Sequence, residues 1–159
     1  MKQGNEKGFT LVELMIVLVV LGILAGLAVP SLDLIFSKDK LRASTSTVTS
    51  SLYVARMKAV NEAEPYGVQF EEDGLFKIVR DPEGANEIRG AGYNLEEGIS
   101  FSEINFNDWL VIFNEVGQLE KSCLPSGVLT GTITLTDGIV DSTMVEVTFI
   151  TGRIRETNL

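Results

Sequence analysis

The sequence predicts an α+β fold, with one long N-terminal helix followed by an antiparallel β domain. Three observations carry this expectation. Residues 9–29 form an apolar run interrupted only by Thr10 and Glu13. Small or apolar residues then recur with helical spacing at Leu41, Thr45, Val48, Leu52, Ala55 and Ala59. After Pro65 the period changes to the alternation of strands. The first half of the helix reads as membrane-spanning and the second as amphipathic, lying on the sheet.

The chain has 159 residues, with 13 Lys+Arg, 22 Asp+Glu, no His and one Cys. That length allows one domain plus an appendage. Without histidine there is no Ser-His-Asp triad, no His-ligated zinc and no imidazole base. Cys123 alone excludes an intrachain disulfide and a Cys-only metal site. A net charge of −9 argues against a nucleic-acid partner, because phosphate neutralisation needs clustered cations. No catalytic constellation is legible, so the expectation is a non-enzyme without cofactor or metal.

The N-terminal residues 1–8 are short and polar, with Lys2 and Lys7 against Glu6. Residues 14–29 carry no charge and no hydroxyl. About 20 apolar residues are enough to cross a bilayer core. Lysines ahead of such a run stay cytoplasmic and place the remainder on the far side. A cleaved secretory signal, a plain anchor and a buried core helix all compete for this segment. Glu13 changes the weighting among them, since an acidic residue within an apolar span is costly and marks function by default. A cut between Gly8 and Phe9 would create an amine four residues before Glu13, on the same helical face. A glutamate snorkelling to the interface is the alternative.

Gly8-Phe9-Thr10-Leu11-Val12-Glu13-Leu14, followed by an apolar run ending at Pro30, resembles the class III signal of type IV pilins and type II secretion pseudopilins. The resemblance implies cleavage by a prepilin peptidase after Gly8 and N-methylation of Phe9. It also implies an assembly role for Glu13 and a helix kink at Pro30. A proline kink is expected from the missing amide proton as well.

Beyond Pro30, residues 31–64 contain no Gly and no Pro. The face opposite Leu41–Ala59 carries Lys40, Ser44, Ser51, Lys58 and Glu62. The stretch 44–51 is rich in Ser and Thr, which are weak helix formers, so packing has to hold it. Pro65 stops the helix. If residues 9–64 form one helix, it is roughly 84 Å long. Tyr66, Val68 and Phe70 then share one face of a strand, residues 71–74 form a turn, and residues 75–80 return as a hairpin. Residues 81–98 read as a loop, and residues 99–101, 109–113, 131–136 and 144–150 as further strands. The organisation expected is a leader over 1–8, a transmembrane and assembly helix over 9–30, an amphipathic helix over 31–64 and a β-rich globular part over 65–159.

The second half, with Leu52 to Ala59, the hairpin around Gly74, Phe113-Asn114-Glu115-Val116-Gly117 and the closing Thr151-Gly152-Arg153-Ile154-Arg155, resembles minor pseudopilins of the GspH/FimT type. The resemblance implies a pilin-like fold and a single-pass subunit of the bacterial inner membrane with a periplasmic globular domain. Its implied partners are other pseudopilins or pilins through the N-terminal helix, the prepilin peptidase and the inner-membrane assembly platform. Two roles stay open: a minor subunit of a type II secretion pseudopilus, or a FimT-like minor type IV pilin in pilus assembly or DNA uptake. In some FimT-like proteins a Gly-Arg-x-Arg pattern is linked to DNA uptake, which would make Arg153 and Arg155 DNA contacts. Against it, losing residues 1–8 removes two lysines and one glutamate and shifts the side-chain balance from −9 to −10. Arginines on a sheet edge, paired with Glu146 or Glu156, are the plainer reading.

Other motifs are weaker. The acidic residues Asp81, Glu83 and Glu87 offer oxygens for calcium, without the spacing of a calcium-binding loop. Glu71, Glu72 and Asp73 sit at a turn and read as solvated. Cys123 lacks a histidine neighbour and reads as inert. Gly22 and Gly26 form a small-xxx-small pair that suits close helix approach.

Overall fold

The computed structural model describes residues 8–82, 84, 87–88, 92–139 and 141–159, with the side chains of residues 27–35 and 87 outside that description. Helix α1 is assigned without interruption over Leu11–Glu62 and includes Pro30. The Pro30 side chain lies outside the described residues. The chain divides into two compact units, Met1–Phe36 and Ser37–Leu159.

In the first unit, every apolar side chain from Leu11 to Leu24 is 48–76% exposed. The exposure is on all sides, so this stretch has no one-sided stripe of the kind that lies on a core. Among the described residues, no helix is long and apolar enough to cross a membrane. The expected span over 9–30 includes residues 27–30, whose side chains lie outside that description.

In the second unit, α1 buries Leu41, Thr45, Val48, Leu52, Ala55 and Ala59, the face expected from spacing. Ser44 and Ser51 are buried as well, although their polarity suggests the outer face. Both hydroxyls have partners: Ser51 Oγ donates to the Val48 carbonyl one turn back at 2.7 Å, and Ser44 Oγ accepts from the Glu96 amide, distant in sequence, at 2.9 Å. A buried hydroxyl with a partner carries little desolvation penalty, so the buried stripe is wider than the apolar residues alone indicate.

Among the described residues nine strands follow: β1 Tyr66–Phe70, β2 Leu75–Arg80, β3 Glu87–Ile88, β4 Tyr93–Asn94, β5 Ser100–Ile104, β6 Leu110–Phe113, β7 Thr130–Thr136, β8 Ser142–Thr148 and β9 Ile154–Asn158. One sheet has the order β3-β2-β1-β6, with β4 also pairing β2. The other has the order β5-β7-β8-β9. All pairs are antiparallel. The β1–β2 hairpin matches the expected boundaries. The region 81–98, expected as loop, contributes the two short strands β3 and β4. The expected strand over 144–150 starts two residues earlier and stops at Thr148. The chain then turns through Gly152 (φ 57°) into β9.

A single apolar cluster joins the helix face to both sheets through residues such as Leu52, Val68, Phe113, Ile133 and Val145. Phe101 of β5 meets Phe70 edge-on at 5.3 Å between ring centroids, tying the two sheets together. Gly131 in β7 lies under the Phe106 ring, where a Cβ would overlap the aromatic carbons. Glycine at this position permits the close approach of ring to strand.

Candidate assembly site on the N-terminal helix

The residues singled out for processing and assembly sit at the start of α1. Gly8, Phe9 and Thr10 precede the helix, and all three are exposed. Thr10 caps it: the Glu13 amide donates to Thr10 Oγ1 at 3.2 Å, and the Leu14 amide donates to the Thr10 carbonyl at 3.2 Å. Thr10-Leu11-Val12-Glu13 thus has the sequence of a capping box, with Glu13 at the third helical position. Sequence reasoning treated Glu13 as an intramembrane charge with an assembly role and missed this cap, although the Thr-x-x-Glu spacing announces it. The arrangement has a chemical consequence. A chain beginning at Phe9 carries its ammonium group directly ahead of the capped first turn. A cation there opposes the helix dipole, and a carboxylate in the first turn offsets it.

Gly22 and Gly26 lie on the apolar stretch, and a Cβ built at either meets nothing within 4 Å. Their faces are open for close approach by another helix.

Arg153 and Arg155 flank the buried Ile154 and are both exposed, which places them on the same side of the chain at the start of β9. Arg155 is directly opposite Glu146 in the β8–β9 register. Side chains of helix α1 bond to the backbone of this segment, a coupling that sequence reasoning did not find. Arg56 donates from Nε to the Gly117 carbonyl at 2.8 Å and from Nη2 to the Thr151 carbonyl at 2.9 Å. Tyr53 donates its hydroxyl to the Ile154 carbonyl at 3.4 Å. The structure brings Arg153 and Arg155 together and leaves them far in sequence from Gly8, Phe9 and Glu13.

The remaining motifs resolve locally. The Cys123 thiol is buried and donates to the Glu120 carbonyl at 2.9 Å. Glu71 pairs with Lys77 at 2.5 Å, and Asp73 Oδ1 accepts the Leu75 amide at 3.1 Å. Glu83 lies outside the described residues, as does the Glu87 side chain; among the described residues no His, Cys, Asp or Glu group is arranged to hold a metal. Where α1 ends, Tyr66 donates its hydroxyl to Glu62 Oε2 at 2.6 Å. That hydrogen bond holds the Glu62 carboxyl below its ordinary value, and the Lys58 and Arg80 charges act in the same direction.

Residues 3–29 match the family described as the prokaryotic N-terminal methylation motif. Type II secretion system protein H of Pseudomonas aeruginosa is 32% identical over 75 residues, covering 47% of this chain and 43% of that protein. Type II secretion system core protein G of Klebsiella michiganensis is 50% identical over 91 residues, covering 56% of this chain and 61% of that protein. The matched part of the chain therefore spans roughly half the length of these relatives. Among solved structures, the minor pseudopilin EpsH from the type 2 secretion system of Vibrio cholerae superposes with a TM-score of 0.58 at 10% identity, covering 75% of this chain and 97% of that one. The type IV minor pilin FimU of Pseudomonas aeruginosa gives a TM-score of 0.56 at 13% identity, covering 74% and 92%. At such identities the likeness shows the fold: a pilin-like α+β fold, headed here by a prepilin-type methylation motif.

Proposed function

We propose that the chain is a structural minor subunit of a type II secretion pseudopilus. In this reading it is inserted in the bacterial inner membrane, with its globular part in the periplasm, and it assembles through α1 to support protein secretion. A prepilin peptidase cuts between Gly8 and Phe9, the new Phe9 amine is methylated, and the subunit passes to an assembly platform in the membrane. Glu13 pairs with the amine of a neighbouring subunit. In a low-dielectric bundle an unpaired charge is expensive, so this pairing fixes axial register more than it adds net stability. The protein does this without catalysis of its own and without a cofactor.

The observation that carries the reading is the conjunction at the start of α1. A capped helix begins two residues after the Gly8–Phe9 bond, carries one carboxylate in its first turn, and continues apolar on every side to Leu24. The similarity to protein H and the EpsH-like fold support the secretion assignment. Pro30 serves in this proposal as a point of bending within the apolar-to-amphipathic transition.

Intact-mass measurement of the detergent-extracted protein tests the processing step. The expected species is residues 9–159 with one added methyl group. A mature chain starting after Ala25 or Ala28 would mean an ordinary signal peptide instead.

A second reading, a FimT-like minor type IV pilin involved in pilus assembly or DNA uptake, is favoured by one feature. The two arginines Arg153 and Arg155 stand exposed side by side at the start of β9, in a fold also shared with FimU.

A further inference from the structure

Polar contacts attach the part of α1 between Ser37 and Ser44 to two separate loops. Ser37 Oγ donates to Asp137 Oδ2 at 3.2 Å, and Lys38 Nζ pairs with Asp141 Oδ2 at 3.0 Å. Lys40 Nζ donates to the Glu97 carbonyl at 3.1 Å, and the Glu96 amide donates to Ser44 Oγ at 2.9 Å. Asp137 and Asp141 follow β7, whereas Glu96 and Glu97 lead into β5. The β7 end is prepared for its contact: Asp137 Oδ1 accepts the amides of Ile139 at 2.9 Å and Asp141 at 3.2 Å, which aims Oδ2 at the helix.

Two features set this segment apart from the rest of the helix. The compact unit begins at Ser37, so these are its first helical residues. Their attachment is polar, with Leu41 the buried apolar side chain, whereas Val48, Leu52, Ala55 and Ala59 are fully buried. The Lys38–Asp141 pair has side chains 62% and 32% exposed, so it is open to screening by salt.

We propose that Ser37, Lys38, Lys40 and Ser44 form a releasable clasp, which lets the first two turns of α1 in the globular unit detach while the β core stays folded. Segments with few buried apolar contacts open below the global unfolding free energy. Releasing two turns lengthens the stretch of α1 that adjusts to its neighbours. That use in assembly rests on the pilin-like reading, whereas the opening itself does not.

Thiol labelling of the full chain in detergent tests the clasp. Thr45→Cys and Ser51→Cys, each with Cys123→Ser, place a probe on two buried positions, one beside the clasp and one deeper in the helix. Labelling of Thr45→Cys is expected to be at least about tenfold faster than that of Ser51→Cys, as separate local and global openings require. Adding Ser37→Ala and Lys38→Ala should raise the Thr45→Cys rate about threefold to tenfold, the factor worth one hydrogen bond and one exposed ion pair. The Ser51→Cys rate should not change. High salt should accelerate Thr45→Cys in the same direction, which keeps the test usable if the double variant fails to fold. Equal labelling rates at both positions, or equal acceleration of both, would overturn the clasp whether or not the chain assembles.

Discussion

Replacing Arg56 by methionine keeps much of the side chain's bulk and removes its guanidinium. Two carbonyls lose a charged donor, those of Gly117 and Thr151. They belong to the turn after β6 and the turn before β9, so one helical side chain joins α1 to both sheets. Hydrogen bonds from charged groups contribute about 1.5–3 kcal/mol each, and less where water replaces the donor. Gly117 is buried and Thr151 is exposed. The first bond is therefore assigned about 1.5–2 kcal/mol and the second about 0.5–1 kcal/mol, for a loss of roughly 2–3 kcal/mol. For a unit of this size that lowers Tm by about 6–12 °C. Arg56→Lys keeps the charge, but a single ammonium cannot fork between the two carbonyls, so about half the loss remains. Thermal unfolding of the full chain in detergent, followed by circular dichroism, reads both variants. A fall of less than about 2 °C in Arg56→Met would mean that water replaces the guanidinium at no cost and that the Arg56 bridge does not stabilise the fold.

Two further outcomes follow from the geometry. The Tyr66 hydroxyl is the first cause that holds the Glu62 carboxyl below its ordinary value, so its contribution to stability is complete above the unfolded value and disappears as pH falls through the lower folded one; wild type should exceed Glu62→Gln in Tm near neutral pH and lose that advantage as the pH falls through and below the ordinary carboxylate range, whereas a gap that persists into stronger acid would rule this linkage out. For the arginine pair, a gel-shift titration with duplex DNA at physiological salt should show weak binding or none, given the net charge of −9. Tight binding that is lost in Arg153→Ala/Arg155→Ala would move the protein from the secretion reading to the DNA-uptake one.

Much of the fold is legible because it depends on periodicity. The buried helix face from Leu41 to Ala59 and the β1–β2 hairpin follow from spacing and from the Gly74 turn, and both appear as expected. What was not legible depends on partners distant in sequence or on nearby backbone acceptors that residue type does not announce. Ser44 and Ser51 read as outward-facing because polarity says nothing about a Glu96 amide or a Val48 carbonyl waiting inside. The strands β3 and β4 are two residues each and exist through their pairing with β2. Strand β9 is mostly polar, Arg-Glu-Thr-Asn after Ile154, and is recruited by the register of β8. At the candidate site, Gly8, Phe9 and Glu13 stood out by type and order. The Thr10 cap was written in the same four residues but was overshadowed by the charge of Glu13. The Arg56 bridge had no local signature, since its acceptors are backbone carbonyls that lie 61 and 95 residues away.

In the proposed pseudopilin role, Glu13 acts through its charge on a neighbouring subunit, and the cap at Thr10 supplies the means to isolate that charge. Glutamine at position 13 still serves a capping box, whereas leucine does not. Glu13→Gln and Glu13→Leu should both insert in the membrane and both be cleaved, because the Gly8–Phe9 bond is untouched and removing an intramembrane charge does not hinder insertion. Co-purification or crosslinking with partner pilin-like subunits, measured against an abundance control, is the deciding measurement. Both variants should lose incorporation, since neither offers a carboxylate to the neighbour's amine. Glu13→Gln that incorporates like wild type while Glu13→Leu does not would reduce Glu13 to a helix cap. Incorporation of both at the wild-type level would contradict the pairing mechanism outright.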